Sequence, residues 1–110
     1  MDENVKGILE KYSPEISELY ETLRTLIYES TTDQIEEKLW AKLPSYYVGE
    51  KVVRLIPFKD HINVEANAVI QHKDELSGFK VTPKGMLQVY LEQTIPTDLV
   101  KEIFYETLNG

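Results

Sequence analysis

Up to Pro44 the apolar residues of this chain recur at helical spacing, and beyond it they alternate. That change of period limits the fold to helices followed by an antiparallel sheet. Val5, Ile8, Leu9 and Tyr12 fall at i, i+3, i+4 and i+7, a short amphipathic helix. Ser13-Pro14 restarts the chain, with serine suited to an N-cap and proline to the first helical position. From Pro14 to about Glu29, Ile16, Leu19, Tyr20, Leu23, Leu26 and Ile27 make one apolar stripe with acids opposite it. A third helix is expected from about Thr32 to Leu43, opened by the capping-box-like "TTDQIEE" and ended by Pro44.

Past Pro44, "SYYVGEKVVRLIPF" reads as a hairpin about a II′-type turn at Gly49-Glu50. "RLIPFKDHINVEA" reads as a second hairpin, with Lys59-Asp60 in its turn and Pro57 marking a strand end, edge or bulge. Asn67 is placed to cap a short helix running to Ser77, with Gly78 as its C′ residue. "KGMLQVYLE" alternates again, and Pro96-Thr97 starts a last helix carrying Leu99, Val100, Ile103, Phe104 and Leu108. The expected fold is α+β: an antiparallel sheet of hairpins packed against N- and C-terminal helices.

A length of 110 residues implies one domain, residues 1–110, with no repeat or boundary inside it. Such a chain buries roughly 65% of its unfolded surface and needs no covalent staple. It has no cysteine, which excludes disulfides, thiolate metal sites and cysteine nucleophiles. "MDENVKGILEKY" lacks the basic-then-apolar pattern of a secretory signal, and no stretch has the ~20 apolar residues of a membrane span. A cytoplasmic protein with no membrane role is expected. The net charge of −7, from 19 acidic against 12 basic residues, opposes nucleic-acid binding. The same acidity suits cations or basic protein partners.

Two groups of residues are candidate sites. The first is acidic. Glu15, Glu18 and Glu21 form a ridge on the long helix, and Asp33, Glu36 and Glu37 a second cluster at the expected third helix start. Oxygen-only ligands suit hard or borderline cations, held weakly and partly hydrated on an exposed ridge. A solvated polar face explains the same pattern. The second group centres on "FKDHINVEA", where alternation puts Ile62, Val64 and Ala66 on one face and His61, Asn63 and Glu65 on the other. His61 and Glu65 are then about 13 Å apart, too far to share one ion. With Lys59 beside it, His61 reads as a hairpin surface residue or as a contact for an anion or polar ligand. His72 lies beside the apolar stripe of its helix and reads as a packing histidine. No nucleophile elbow, P-loop or dinucleotide fingerprint is present, so a non-enzymatic protein is expected.

Three long segments together resemble a known family. "YSPEISELYETLRTLI" is similar to the first long helix of the YdhG-like family, a domain-of-unknown-function group sometimes labelled frataxin-like iron chaperones. "IEEKLWAKLPSYYVGEKVVRLIPFKDHINVEA" resembles its central run, and "KDELSGFKVTPKGMLQVYLEQTIPTDLVKEI" its closing run. Leu43 and Asn63 stand where the family often has methionine and glycine, and His72 where it usually has an aromatic residue. The resemblance implies a compact α+β fold and makes Lys59, His61, Lys80 and Lys84 matches to recurring positions that could converge on one patch. The family label suggests an iron chaperone, with which the acidic ridge is compatible, so the leading expectation is low-affinity, exchangeable iron as cargo, the six carboxylates as exposed ligands and an iron–sulfur assembly or iron-acceptor protein as partner. The alternative is a non-enzymatic module that binds an anionic small molecule or acidic peptide through the Lys/His patch. Tyr47 and Tyr90 suit a dimer interface as well as a core, so monomer and homodimer both fit.

Overall fold

A computed structural model describes every residue from Met1 to Gly110. The chain opens with α1 (Glu3–Leu9), whose N-terminal amides are capped by Asp2 Oδ1, accepting from Asn4 at 2.8 Å and Val5 at 3.2 Å. In α2 (Pro14–Ser30), Ser13 Oγ accepts from the Ile16 amide at 3.2 Å, and Pro14 takes the first turn, where its missing N–H costs nothing. The strands are β1 (Glu36–Trp40), β2 (Leu43–Val48), β3 (Lys51–Pro57), β4 (His61–Glu65), β5 (Lys80–Val81) and β6 (Leu87–Tyr90). A 3₁₀ segment, Asn67–Leu76, follows β4, and α3 (Thr97–Asn109) comes last. The strands make one six-stranded antiparallel sheet in the order β1-β2-β3-β4-β6-β5.

The stretch expected as a third helix, from about Thr32 to Leu43, is instead β1 and the start of β2. Its side chains follow a period of two: Ile35, Glu37 and Leu39 are half-buried, while Glu36, Lys38 and Trp40 are exposed. The hairpin turns at Ala41 and Lys42, with φ of 49° and 66°. Positive φ at both central residues is the type I′ geometry that matches strand twist, but it usually recruits Asn-Gly. Ala-Lys carries no such signal, which is why the turn was invisible. The next turn does follow its sequence: only Gly49, at φ +60°, is left-handed, as a II′ turn requires. Asn67 does not cap the 3₁₀ segment. Ala66 occupies that position without a side-chain bond, and the Ala68 amide donates instead to the buried Thr107 Oγ1 of α3 at 3.1 Å.

One core of 22 buried apolar residues lies between the helices and one face of the sheet. α2 contributes Ile16, Tyr20, Leu23, Leu26 and Ile27, and α3 contributes Val100, Ile103, Phe104 and Leu108. The sheet meets them with Tyr46, Val53, Leu55, Ile62, Val64, Leu87 and Val89. Each such side chain is worth roughly 1.5–3 kcal/mol when taken fully out of water. A polar centre is set into this layer. The Glu37 carboxylate accepts from Arg24 Nε at 2.6 Å, Arg24 Nη2 at 3.1 Å and the Asp2 amide at 2.7 Å. Burial pushes the Glu37 carboxyl up, but Arg24 and the Asp2 amide outweigh it and hold it below the usual carboxylate value. Next to this pair the buried Tyr20 and Tyr46 hydroxyls share a 2.6 Å hydrogen bond, and burial raises both phenols. No helix is long and apolar enough to cross a membrane.

Candidate ligand-binding face

Because α1, α2 and α3 all pack on one side, the other side of the sheet is open. Register decides what it displays. Ser45, Arg54 and Glu65 stand in one row across β2, β3 and β4. Arg54 is the hub of this end: Nε donates to Ser45 Oγ at 3.0 Å, Nη1 to Glu65 Oε2 at 2.5 Å and Nη2 to the Tyr47 hydroxyl at 3.2 Å. Its guanidinium carbon lies 4.4 Å from the Trp40 ring centroid, a cation–π contact. Trp40 is nonetheless 55% exposed, so a large aromatic surface faces solvent. Lys38 Nζ lies 4.9 Å from the Tyr47 ring centroid.

At the far end, His61 faces Tyr90 across β4 and β6. The imidazole is sandwiched, with the Phe58 ring 4.7 Å away at 7° and the Tyr90 ring 4.6 Å away at 26°. Nδ1 lies 2.8 Å from Asp60 Oδ1, and this bond holds the Asp60 carboxyl below its ordinary value. With Nδ1 as the donor, Nε2 remains for another group. Lys80 Nζ sits 5.9 Å from the Tyr90 centroid. Lys80 pairs with Gln88, two residues before Tyr90, so lysine and histidine flank one aromatic ring on one face.

Between the two aromatic clusters lies Asn63, level with Ile56 on β3 and Gln88 on β6. Its Nδ2 reaches Met86 Sδ at 3.9 Å, while Oδ1 is buried with no partner, the only side-chain polar atom in that condition. An unmet buried acceptor costs about 1–3 kcal/mol and calls for a donor.

A scan against protein-family models found no match, and neither did searches of curated proteins and of solved structures. The functional reading of the face therefore comes from its geometry.

The ten residues singled out in the sequence are placed unevenly. His61 and Lys80 come together at Tyr90, and Lys59 is exposed in the turn before β4. Lys84 stands apart from them, before the opposite end of β6, beside a shallow hollow lined by Glu65, Asn67, Ile70 and Gly85. The carboxylates are dispersed. Glu15 and Glu18 border a hollow with Leu19 and Leu91, whereas Glu21 borders another with Glu3 and Glu10. Asp33 accepts from Asn109 Nδ2 at 2.6 Å. Glu36 and Glu37, neighbours in a strand rather than at a helix start, point to opposite faces: Glu36 lies 3.4 Å from Lys38 Nζ, and Glu37 is held by Arg24. Three histidine or acidic side chains converge at one place only, His72 with Glu102 and Glu106. His72 is partly buried, as expected, and is also hydrogen-bonded, with Glu75 and Glu106 on its two nitrogens. Sequence reasoning missed this because α3 supplies its partner 34 residues further on. The available signals were the one-turn spacings of His72 with Glu75 and of Glu102 with Glu106.

Proposed function

We propose that this chain is a non-enzymatic binding module whose open sheet face holds an anionic small molecule with a flat, apolar body. The observation that carries the reading is the collection of aromatic and cationic side chains on the helix-free face of an acidic protein. Against a net charge of −7, this face bears Lys38, Arg54 and Lys80 with the His61 ring, opposite Glu36, Glu65 and, at its edge, Asp60. Solvated sheet faces need only polar residues. Trp40, Tyr47, Phe58 and Tyr90 add ring surface against which a planar group stacks. The Lys80 ammonium supplies the positive end, beside Tyr90 and the stacked His61 ring. The iron-chaperone reading is not adopted, because Asp33, Glu36 and Glu37 do not form a cluster with one another or with the ridge of Glu15, Glu18 and Glu21 on α2.

The test is titration of ¹⁵N-labelled protein with 1-naphthoate, with inorganic phosphate, an oligoglutamate peptide and anaerobic Fe²⁺ as parallel arms. Saturable shifts from naphthoate at Phe58, His61, Lys80 and Tyr90, weakened about tenfold by His61→Ala or Lys80→Glu, are expected; one lost ion or hydrogen-bond contact is worth roughly 1.4 kcal/mol. Stronger saturable binding of the peptide at this face transfers the site to an acidic polypeptide. No saturable shift on the face with any anion sinks the proposal, and broadening by iron along Glu15, Glu18 and Glu21 restores the chaperone.

A further inference from the structure

On the helical side of the molecule, His72 leaves helical geometry inside the 3₁₀ segment, with φ −109° and ψ 15°. Its ring reaches α3, where Nε2 lies 2.8 Å from Glu106 Oε1. Glu102 sits one helical turn before Glu106, on the same side of α3. One nitrogen of His72 and one oxygen of each glutamate all fall within 4.8 Å of one another. Bonds of about 2.0–2.2 Å to a central ion put neighbouring ligand atoms roughly 3 Å apart. The site needs only a modest contraction. Glu102 is exposed and makes no hydrogen bond, so its rotamers are free to supply it.

A second observation separates this group from an ordinary acidic cluster. His72 Nδ1 is bonded to Glu75 Oε1 at 2.6 Å. A carboxylate on one imidazole nitrogen, with the other nitrogen aimed at further ligands, is the arrangement that fixes tautomer and ring orientation in metal-bound histidines. The ring is also largely shielded, its side chain 12% exposed. Glu75 is 59% exposed and is held there by this bond, three residues along the same segment.

We propose that His72 Nε2, Glu102 and Glu106 form a binding site for a first-row divalent cation, with Glu75 as the positioning residue. One imidazole and two carboxylates make a mixed N,O₂ set, which suits Zn²⁺, Mn²⁺ or Fe²⁺ better than the all-oxygen preference of Mg²⁺ and Ca²⁺. The ion takes the place of the proton between Nε2 and Glu106, and that proton leaves to solvent. Water completes the shell on the exposed side. The site lies on the face of the chain away from the proposed anion-binding surface, and neither requires the other.

The experiment is isothermal titration of the full chain with Zn²⁺, and Mn²⁺ line broadening in ¹⁵N spectra, with Mg²⁺ as control. The expected result is one saturable Zn²⁺ equivalent and Mn²⁺ broadening centred on His72, Glu102 and Glu106. Glu102→Gln removes a ligand that holds no other structure, and it should weaken Zn²⁺ at least tenfold with an unchanged thermal midpoint. His72→Asn should abolish binding. Glu75→Gln should weaken it about 10- to 100-fold, the range for lost outer partners of metal-bound histidine, while leaving stoichiometry at one. Binding that survives Glu102→Gln and His72→Asn, or broadening centred elsewhere, overturns the site. So does the absence of saturable uptake by the unsubstituted chain.

Discussion

Replacing Glu37 by glutamine tests whether the polar centre under the sheet stabilises the fold or is merely tolerated. Glutamine keeps the volume and one acceptor for the Asp2 amide but removes the charge opposite Arg24. Fully buried pairs lose about 3–5 kcal/mol when one partner goes, and exposed pairs about 0–1. Here the Glu37 side chain is 8% exposed and that of Arg24 22%, between the limits but nearer the buried one. The expected loss is about 2–3 kcal/mol, which in a domain of this size lowers the thermal midpoint by roughly 10 °C. Urea unfolding of the wild type, Glu37→Gln, Arg24→Met and the double variant gives the coupling directly. The double variant should be more stable than the sum of the single losses implies, because it leaves no uncompensated charge.

The same substitution has a pH signature. The folded carboxyl lies below its unfolded value of 4.5, so its contribution is present above that value and is lost as pH falls through the folded one. Wild-type stability should therefore drop more steeply than that of Glu37→Gln as pH is lowered from 6 toward 3. Single losses below about 0.5 kcal/mol, purely additive losses, or parallel pH curves would refute the reasoning.

Three further outcomes follow from particular contacts. Changing Ala41-Lys42 to Asn-Gly relieves two left-handed residues and should raise stability by about 1 kcal/mol in urea unfolding; an unchanged midpoint would show that the turn is not under strain. Tyr20→Phe deletes the 2.6 Å bond to Tyr46 and should cost about 1 kcal/mol in the same assay, and a gain would show that the pair is worth less than its burial. Phe104→Ala, at a wholly buried position, should cost about 3–5 kcal/mol by calorimetry, and a loss under 1 would mean that the core collapses around the gap.

The architecture was legible where local chemistry and period agreed. Ser13-Pro14 started α2, Gly49 turned the β2–β3 hairpin, and Gly78, at φ +89°, follows the 3₁₀ segment as its C′ residue. Alternation also assigned His61, Asn63 and Glu65 to the face opposite Ile62 and Val64. The β1 strand escaped because "TTDQIEE" has the signature of a helix start and Ala41-Lys42 lacks that of a turn. Helical periodicity and strand alternation coincide over so short a run, and only the pairing Glu37↔Tyr46 with its bond to Arg24 decides between them. The sites were less legible for a different reason. Charge runs in sequence say nothing of direction, so adjacent Glu36 and Glu37 ended on opposite faces. Glu106 meets the local His72–Glu75 pair only through the packing of the 3₁₀ segment on α3.

The sheet order carries a consequence for biosynthesis. β1 to β4 pair in the order in which they are made, so that meander can register as soon as Glu65 has emerged. Its inner face dries only in part then: α2 is already made and packs on β3 and β4, but Val100, Ile103, Phe104 and Leu108 come from α3, which follows every strand. At about 5–20 residues per second, the stretch from Glu65 to Asn109 takes roughly two to nine seconds to synthesise. For that interval α2 can cover β4 and part of β3, while the strip of β2 and β3 that packs on α3 stays open, and the fate of the chain on the ribosome turns on what shields that strip before α3 arrives.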